Sequence, residues 1–308
     1  MEIVSIGDLV ADVYYDEEEK LIGVDGGITS HNIICNLSSF GFNTKAYGVC
    51  GNDYLGNVAI KSLVDCNVKT DVKKLDNLKT KAYHIRKVIE KNKYVFRSIK
   101  YCPYCKKNSW YDESYIDEVN VLSKIKNNDI IIFDNLNNKN QYIIDNSNNM
   151  KLLDLGSYLE FENLSTSEII NKLKNKFEII NLNERVEKYL IKRLSLRNSI
   201  DLYKIIKPKL ITVTRSINGC DFIYQGKVYR FPLKKISTEV DDSGAGDAFF
   251  SVIIKNWINN NFKLESKLFN KWFYESSELT SKIVTLIGSR THIKKLYSVV
   301  KSDLCDGD

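Results

Sequence analysis

Several features that would mark a specialised protein class are missing from this sequence. It has three prolines and three histidines in 308 residues, and it contains no Pro-, Gly- or Ser-rich linker and no internal repeat. No apolar run approaches the roughly 18 residues needed to span a bilayer. The N-terminus lacks the basic start and small-residue cleavage site of a signal peptide. We therefore expect a cytoplasmic protein without a membrane partner.

An even number of cysteines and a strong excess of one charge are also lacking. The net charge of +6 comes from 45 basic and 39 acidic residues, which are interspersed along the chain and do not indicate a nucleic-acid partner. Seven cysteines are an odd number, mostly isolated in apolar segments, which indicates reduced thiols and excludes a simple disulfide framework. With 43% hydrophobic residues, the chain can bury a sizeable core.

Short apolar runs alternate with helical spacing over most of the chain. Strands are predicted at 2–6, 45–50, 130–133, 151–155, 177–182 and 210–214, and helices at 32–40, near 165–175, and at 184–195, 247–260 and 271–287. This rhythm predicts an α/β fold, with a mostly parallel sheet flanked by helices on both faces. Residues 82–99 alternate around Lys91-Asn92-Lys93 and predict a hairpin. We interpret residues 1–308 as one domain with a small β appendage.

The segment from Val240 to Phe249 carries the strongest chemical signal. Small residues at Gly244, Ala245 and Gly246 precede an apolar helical pattern. The free N–H groups of a helix start form an anion site. A carboxylate at that position, Asp247, is favoured by the helix dipole and can accept a hydroxyl proton during phosphoryl transfer. For the short GxGD pattern alone, a capping aspartate after a tight turn explains the residues equally well.

The longer string DDSGAGDAF resembles the DTxGAGDAF signature of the ribokinase-like (PfkB-type) carbohydrate kinases. Four other blocks resemble family segments in the same order: GDLVAD, GGITSHN, GVCGNDYLGN and the loop at 212–219. The resemblance implies a ribokinase-like fold in which Asp247 is the catalytic base. The backbone of Gly244, Ala245 and Gly246 would then be the anion hole for the transferred phosphoryl group.

The same resemblance implies the remaining site residues. Substrate would be bound by Asp12, Gly26, Gly27 and Asn32, with His31 a further candidate; nucleotide would be bound by Thr214, Ser216, Gly219, Asp242, Gly244 and Gly246. ATP and Mg²⁺ are the implied cofactors, with Glu184 as a carboxylate that holds Mg²⁺ through water. A β lid from about residues 12–27 and 80–110 would close over the substrate and provide a homodimer contact.

Four departures from the family pattern bear on these assignments. The GGxxxN spacing has one extra residue before Asn32, so His31 or Ser30 is an alternative to that asparagine. Ser216 stands where glycine is usual, which predicts an altered backbone angle. The NxxE motif aligns either by its Asn-Glu dipeptide or by its spacing, and both include Glu184. Of the D-x-N after the middle strand, only Asp154 is present.

The function implied is ATP-dependent phosphorylation of a hydroxyl on a sugar or sugar-like substrate. One alternative is a nucleoside kinase on the same scaffold. Another is a catalytically silent protein that binds a sugar or nucleotide.

The pair Cys102 and Cys105 has the CxxC spacing of metal and redox sites. One such pair supplies half of the ligands for structural zinc, and the sequence has no second CxxC. A zinc site would be completed by His84 with another group, or by a second copy of the chain across a dimer axis. The alternatives are two reduced thiols at the end of the hairpin, or a redox pair. Farther along, Lys294 and Lys295 are predicted to lie at an exposed helix end.

Overall fold

The computed structural model describes residues 1–90, 93–108, 113–233 and 239–305. The chain divides into two compact units. Unit 1 contains Met1–Val4, Asp117–Ile236 and Gly246–Leu279, and unit 2 contains Ser5–Ile116, Ser237–Ala245 and Thr280–Asp308.

The strands within the described residues follow the chain in this order: β1 (Ile3–Asp8), β2 (Val10–Tyr15), β3 (Leu21–Gly26), β4 (Thr44–Gly51), β5 (Lys69–Leu75), β6 (Lys81–Glu90), β7 (Lys93–Ile99), β8 (Ile130–Phe133), β9 (Met150–Leu155), β10 (Ile179–Asn183), β11 (Leu210–Thr214), β12 (Cys220–Tyr224) and β13 (Lys227–Phe231).

The helices in the same ranges are α1 (Thr29–Ser39), α2 (Tyr54–Asp65), α3 (Glu118–Lys124), α4 (Asn138–Asn146), α5 (Thr166–Leu173), α6 (Glu184–Arg193), α7 (Ser199–Ile206), α8 (Ala245–Asn259), α9 (Ser266–Ile283) and α10 (Lys301–Leu304). Two short 3₁₀ turns lie at Leu159–Phe161 and Ser216–Asn218.

The large sheet has the strand order β13-β12-β11-β10-β9-β8-β1-β4-β5. The pairs β8–β9, β9–β10, β10–β11 and β4–β5 are parallel, whereas β12 and β13 continue the sheet in antiparallel pairing. Strands β8 to β11 consist mainly of fully buried Ile, Leu and Val, as expected for parallel strands covered on both faces. Flanking helices and a mostly parallel sheet confirm the predicted fold class.

A second sheet, in unit 2, has the order β3-β2-β6-β7. The predicted hairpin of β6 and β7 is confirmed as an antiparallel pair, with Arg86 opposite Arg97. Its turn residues Lys91 and Asn92 lie outside the described residues, as do residues 109 and 110 of the predicted lid. The strand β2 pairs in parallel with β6 and antiparallel with β3.

Local capping explains where several helices begin. The Asp53 side chain accepts the Gly56 N–H at the start of α2, and Asn183 accepts the Val186 N–H at the start of α6. At α5, Ser165 and Glu168 form a reciprocal capping box. Each cap satisfies amides that the helix itself leaves unpaired. In the part of the chain that the structure describes, no helix combines the length and apolarity needed to cross a bilayer.

Candidate active site

The turn that precedes α8 has a backbone that only glycine accommodates easily. Gly244 has φ +77°, and a Cβ at that position would lie 2.5 Å from the Cβ of Ser289. The left-handed angle and the close approach both exclude a side chain. The chain then enters α8 at Ala245. A Cβ on Gly246 would have no neighbouring atom within 4 Å, so open space lies beside the helix start at this position.

Asp247 lies in the first turn of α8 and is 8% exposed. In unit 1 it lies close enough to Asp154, near the end of β9, for the two carboxylates to interact electrostatically. Asp154 Oδ1 accepts a hydrogen bond of 3.0 Å from Asn181 Nδ2, and Asn181 Oδ1 accepts one of 2.6 Å from Thr212. These three residues are direct neighbours across β9, β10 and β11. Asp154, Asn181 and Thr212 therefore form a hydrogen-bonded row of buried polar side chains across three neighbouring strands.

The second oxygen of Asp154 is buried and has no hydrogen-bond partner within the part of the chain that the structure describes. Burial raises the pKa of Asp154 well above its ordinary value, and the negative charge of Asp247 raises it further. An unpartnered buried carboxylate oxygen beside a second acid is costly. Such an arrangement is typical of sites that function with a cation or ligand bound.

We expect Asp154→Asn to make the protein more stable than the wild type, by an amount that grows as the pH rises. Because the folded-state pKa of Asp154 is raised, the folded chain binds a proton that the unfolded chain has released, so the wild type loses stability as the pH rises above about 4. The amide does not titrate. Thermal unfolding should therefore show a difference in melting temperature, in favour of the variant, that grows as the pH rises from 5. A difference that does not change with pH would contradict this expectation.

The loop after β11 keeps a left-handed backbone without the usual glycine. Ser216 has φ +50°, so the substitution changes the residue but leaves it in the left-handed region. Gly219 has φ +90°, and a Cβ there would lie 1.9 Å from the carbonyl oxygen of Phe231. Thr214, at the end of β11, donates to the carbonyl of Leu182. The loop geometry is thus built around Gly219, with strain at Ser216.

We expect Ser216→Gly to raise the free energy of unfolding by about 0.5–1 kcal/mol. Glycine relieves a left-handed angle that costs other residues about 1–2 kcal/mol, and its greater flexibility in the unfolded chain offsets part of that gain. Urea unfolding measures the change. Ser195→Gly is the matched control, because Ser195 has φ +54° after α6 and should respond alike. A loss of stability only at Ser216 would contradict a strained loop.

The candidate magnesium ligand Glu184 lies at the start of α6 and belongs to an ion-pair network. Its Oε1 is 2.8 Å from Lys188 Nζ and 3.5 Å from Arg215 Nη1. Arg215 also pairs at 2.9 Å with the buried carboxylates of Glu187 and Asp221. The pKa of Glu184 is lowered, first by the hydrogen bond from Lys188. Glu184 is the more exposed of the two α6 glutamates that contact Arg215, at 39% against 3% for the Glu187 side chain.

The substrate candidates of unit 2 meet where β3 leads into α1. A Cβ on Gly27 would lie 2.3 Å from Asp12 Oδ1, so the Asp12 carboxylate packs directly on the Gly27 backbone. A Cβ on Gly26 would lie 2.4 Å from Arg290 Nη1. The two glycines therefore allow a carboxylate and a guanidinium to contact the main chain. Asp12 is 7% exposed, and its strand β2 is buried throughout.

Arg290 holds the side chain of Asn32. Its Nε donates to Asn32 Oδ1 at 2.8 Å, its Nη1 to Ser62 Oγ at 2.8 Å, and its Nη2 to the Gly27 carbonyl at 2.9 Å. Ser289 Oγ also donates to Asn32 Oδ1. Arg290 is only 1% exposed. Since the oxygen of the amide accepts from the guanidinium, the NH₂ group of Asn32 is directed away from Arg290.

A second buried charge pair supports this cluster. The Asp25 carboxylate accepts hydrogen bonds from Lys294 Nζ and Ser62 Oγ, both at 2.6 Å, and from the Gly26 N–H at 2.7 Å. The prediction that Lys294 lies at an exposed helix end was wrong, because its side chain is 9% exposed and pairs with Asp25. Lys295 is exposed as predicted.

The additional residue in the Gly26–Asn32 turn coincides with backbone strain. Ile28, the N-cap of α1, has φ 71° and ψ 135°, a conformation that β-branched residues rarely adopt. The helix α1 begins at Thr29, so Asn32 lies in its first turns. Strain of this kind persists where surrounding contacts determine the backbone, as at ligand sites.

His31 is buried and bonded to the protein. Its Nδ1 lies 2.7 Å from Ser5 Oγ, and burial, aided by the positive charge of Arg290, lowers its pKa to about 3. His31 is therefore neutral near neutral pH. Its Nε2 has no hydrogen-bond partner among the described residues.

The two aspartates before Ser243 differ in environment. Asp242, the predicted nucleotide contact, has a side chain that is 63% exposed and pairs with Arg97 Nη1 at 3.6 Å. Asp241 is 1% exposed and accepts the N–H groups of Ser243 at 2.9 Å and Gly288 at 2.8 Å. Asp241 thus fixes the turn before α8, a role that the sequence pattern did not assign.

One buried ion pair of unit 2 was not predicted from the sequence. Asp8, at the end of β1, and Lys81, at the start of β6, form an ion pair of 2.9 Å with both side chains less than 10% exposed. Asp8 Oδ1 also accepts from Ser114 Oγ. Nothing in the local spacing of either residue indicates the pairing, which connects positions 73 residues apart.

Comparisons with known proteins agree with the fold. The family model described as pfkB family carbohydrate kinase matches residues 2–266. A search of the curated proteins finds no match.

Three solved structures illustrate the similarity. A sugar kinase from Pyrococcus horikoshii, uncharacterized and in complex with ATP, has a TM-score of 0.69 and 18% identity, with 93% of each chain covered. A fructokinase with bound ATP from Xylella fastidiosa has a TM-score of 0.72 and 13% identity, with 95% of each chain covered. An adenosine kinase from Sinorhizobium meliloti has a TM-score of 0.70 and 15% identity, with 94% of this chain and 95% of that chain covered. At these identities the similarity establishes the fold.

Proposed function

We propose, from the premise that this chain belongs to the pfkB family of carbohydrate kinases, that it transfers the γ-phosphoryl group of ATP to a hydroxyl of a sugar or sugar-like alcohol. Family membership makes the chain a kinase for a carbohydrate-like substrate. The nucleotide, the acceptor hydroxyl and the residue roles are our proposal.

The observation that carries the proposal is the start of α8. A glycine turn with a left-handed backbone leads into a helix whose first turn bears the buried Asp247. Amides of residues 244–246 would stabilise the negative charge of the transferred phosphoryl group, and Asp247 would accept the proton of the attacking hydroxyl. Neither role requires a side chain at Gly244, where packing against Ser289 forbids one.

For the acceptor, we assign Asp12 and Asn32 to hydrogen bonds with substrate hydroxyls. A carboxylate accepts from hydroxyl groups, and an amide NH₂ donates to their oxygens. Arg290 supports this by fixing the orientation of the Asn32 amide. Gly26 and Gly27 contribute through the absence of side chains. The buried His31 would act by positioning α1, through its contact with Ser5.

For the nucleotide, we assign the loop with Thr214, Ser216 and Gly219, together with Asp242. ATP is supported by the solved relatives that contain it. The donor set fits Mg²⁺, which takes one or two carboxylates and keeps several waters. Glu184 would hold it through water, and the unpartnered oxygen of Asp154 is a second carboxylate acceptor in unit 1. Mg²⁺ there would offset the negative charge of the phosphates.

The small sheet is proposed to be a lid that closes over the substrate and contacts a second copy of the chain. Several large apolar side chains of its strands are exposed: Ile22 (40%), Tyr83 (39%), Ile89 (65%) and Tyr94 (50%). Burial of such side chains in a homodimer would remove apolar surface from water. Size-exclusion chromatography with light scattering tests this, and a monomer at micromolar concentration would contradict it. We propose a cytoplasmic location, consistent with seven free cysteines.

The test of the proposed function is ADP release from Mg-ATP with a panel of sugars, sugar phosphates and nucleosides. We expect turnover with one class of acceptor well above the rate without acceptor. Turnover confined to nucleosides would select the nucleoside kinase instead. Calorimetric binding of ATP without turnover on any acceptor would reject the kinase and support a silent binding protein.

A further inference from the structure

The CxxC pair of unit 2 lies in a closed turn. The Cys102 N–H donates to the Lys107 carbonyl, and the Lys106 N–H donates to the Cys102 carbonyl, both at 3.0 Å. Lys106 has φ +57°, which bends the chain sharply after Cys105. The turn brings both thiols to one side, within 4.8 Å of each other. Cys102 is 1% exposed, whereas Cys105 is partly exposed.

A third thiol reaches the pair from the other end of the sequence. Cys305 follows α10, and its Sγ lies 3.7 Å from the Sγ of Cys102. Its segment is fixed to the small sheet, because Tyr297 forms two backbone hydrogen bonds with Val24, and Leu304 packs on the adjoining core. The three sulfur atoms all lie within 4.8 Å of one another.

We propose that Cys102, Cys105 and Cys305 form a zinc site that ties the C-terminal segment to the small sheet. Zinc bound to thiolates has Zn–S distances of about 2.3 Å, and tetrahedral geometry then separates the sulfurs by about 3.8 Å. The 3.7 Å separation matches this value and far exceeds the roughly 2.05 Å of a disulfide bond. A set of three thiolates selects soft or borderline metals and disfavours Mg²⁺ or Ca²⁺. The partial exposure of Cys105 and Cys305 allows water to complete four-coordination.

A hydrogen-bond relay supports the sulfur of Cys102. The Tyr15 hydroxyl lies 3.9 Å from Cys102 Sγ and 2.9 Å from His84 Nδ1. When metal binding makes Cys102 a thiolate, Tyr15 donates to the sulfur and accepts from the Nδ1–H of His84. Partners of this kind orient ligands and strengthen metal binding. His84 thus acts through Tyr15, and Cys305 takes the ligand position for which His84 was considered.

Basic residues in the CxxC turn and in the C-terminal segment favour metal binding, because the metal-bound site is negatively charged. Three thiolates and one Zn²⁺ carry a net charge of −1. The two segments contain Lys106, Lys107 and Lys301, and the Lys301 ammonium lies 5.2 Å from the centre of the Tyr104 ring inside the CxxC turn. Binding releases three protons, so affinity should weaken as the pH falls.

The experiment is metal analysis of the full chain, produced without a histidine tag in medium supplemented with zinc. We expect about one zinc per chain in the wild type and less than half in Cys305→Ser, which makes a like-sized replacement at a partly exposed side chain. In reloading of the apoprotein with Zn²⁺ against a chromophoric chelator, Cys305→Ser should bind about 100-fold or more weaker, and Tyr15→Phe about 10-fold weaker. Cys220→Ala, at a buried thiol of unit 1, should match the wild type.

Cobalt substitution gives an independent readout of the ligand set. Co²⁺ should produce thiolate charge-transfer and intense tetrahedral bands in the wild type, both reduced in Cys305→Ser. The proposal is overturned if the reduced apoprotein binds neither Zn²⁺ nor Co²⁺ more tightly than the Cys305→Ser variant does. An intact mass lower by two hydrogen atoms and restored by reductant, a peptide map that places the bond among these three cysteines, and absence of zinc would together overturn the zinc site in favour of a disulfide.

Discussion

Replacing Asp247 by asparagine is expected to lower kcat by about a thousandfold, with little change in KM for ATP. The amide has the same shape as the carboxylate but cannot accept the proton of the attacking hydroxyl, and loss of a general base costs about 10²–10⁴ in rate. The folded state should persist, since a first-turn carboxylate contributes only about 0.3–1 kcal/mol. Steady-state kinetics with the acceptor identified in the panel measures both constants.

The matched control is Asp201→Asn, which makes the same change in the first turn of another helix, α7. It should leave kcat within about twofold, because Asp201 is bonded to Arg197 on the surface and contacts no proposed site residue. If Asp247→Asn retained kcat within about tenfold of the wild type, Asp247 would be a structural cap and another group would be the base.

The second large effect is expected from Arg290→Met, which keeps the side-chain length and removes the guanidinium. The change removes the guanidinium donors of Asn32 Oδ1 and the Gly27 carbonyl, and it removes a buried positive charge that interacts electrostatically with Asp25 and Asp12. Breaking a buried charge network costs about 3–5 kcal/mol. Urea unfolding monitored by circular dichroism should show that loss of free energy of unfolding.

Arg230→Met provides the comparison for that result. Arg230 also contacts a buried carboxylate, Asp221, but its own side chain is 74% exposed, and Arg215 remains beside Asp221. Its replacement should cost about 1 kcal/mol or less. Equal losses for the two variants would show that the Arg290 cluster carries no special stability. For folded Arg290→Met, KM for the sugar should rise more than KM for ATP, because Arg290 positions Asn32.

Much of unit 1 could be predicted from the sequence because its signals are local. The apolar runs at 130–133 and 210–214 coincide with β8 and β11. A parallel strand that is buried on both faces has a continuous apolar sequence. The turn residues on either side of it make its ends easy to recognise. The helical stretch 247–260 likewise corresponds to α8, displaced by two residues at its start.

The elements missed in unit 2 have weaker or mixed patterns. The strand β5, with the sequence KTDVKKL, is polar and lies at a sheet edge, so burial does not impose a pattern on it. The helix α2 has buried Leu55, Val58, Ala59 and Leu63 at helical spacing, but a glycine and a capping aspartate open it and resemble a loop. The strand β2 is buried on both faces yet includes Asp12 and two tyrosines, which obscure its apolar character.

The candidate site was predictable where a motif is contiguous and obscure where contacts span the chain. The carboxylate of Asp247 follows from one string of residues. Arg290 binds Asn32 across 258 positions, and Cys305 reaches Cys102 across 203 positions. No periodicity or spacing rule connects residues so far apart, because the fold alone brings them together. Ser216 lies between these cases: the sequence identified the departure from glycine, and the structure gives its backbone angle, φ +50°, in the left-handed region.

We propose that this chain transfers the terminal phosphoryl group of ATP to an alcohol. The most direct test is incubation with Mg²⁺ and ATP labelled at the γ-phosphate, in the presence of the acceptor selected by the panel, followed by chromatography and mass determination of the labelled product. We expect label in a phosphate ester of the acceptor, formed about a thousandfold more slowly with Asp247→Asn. Label found only in inorganic phosphate, or retained in ATP, would contradict it.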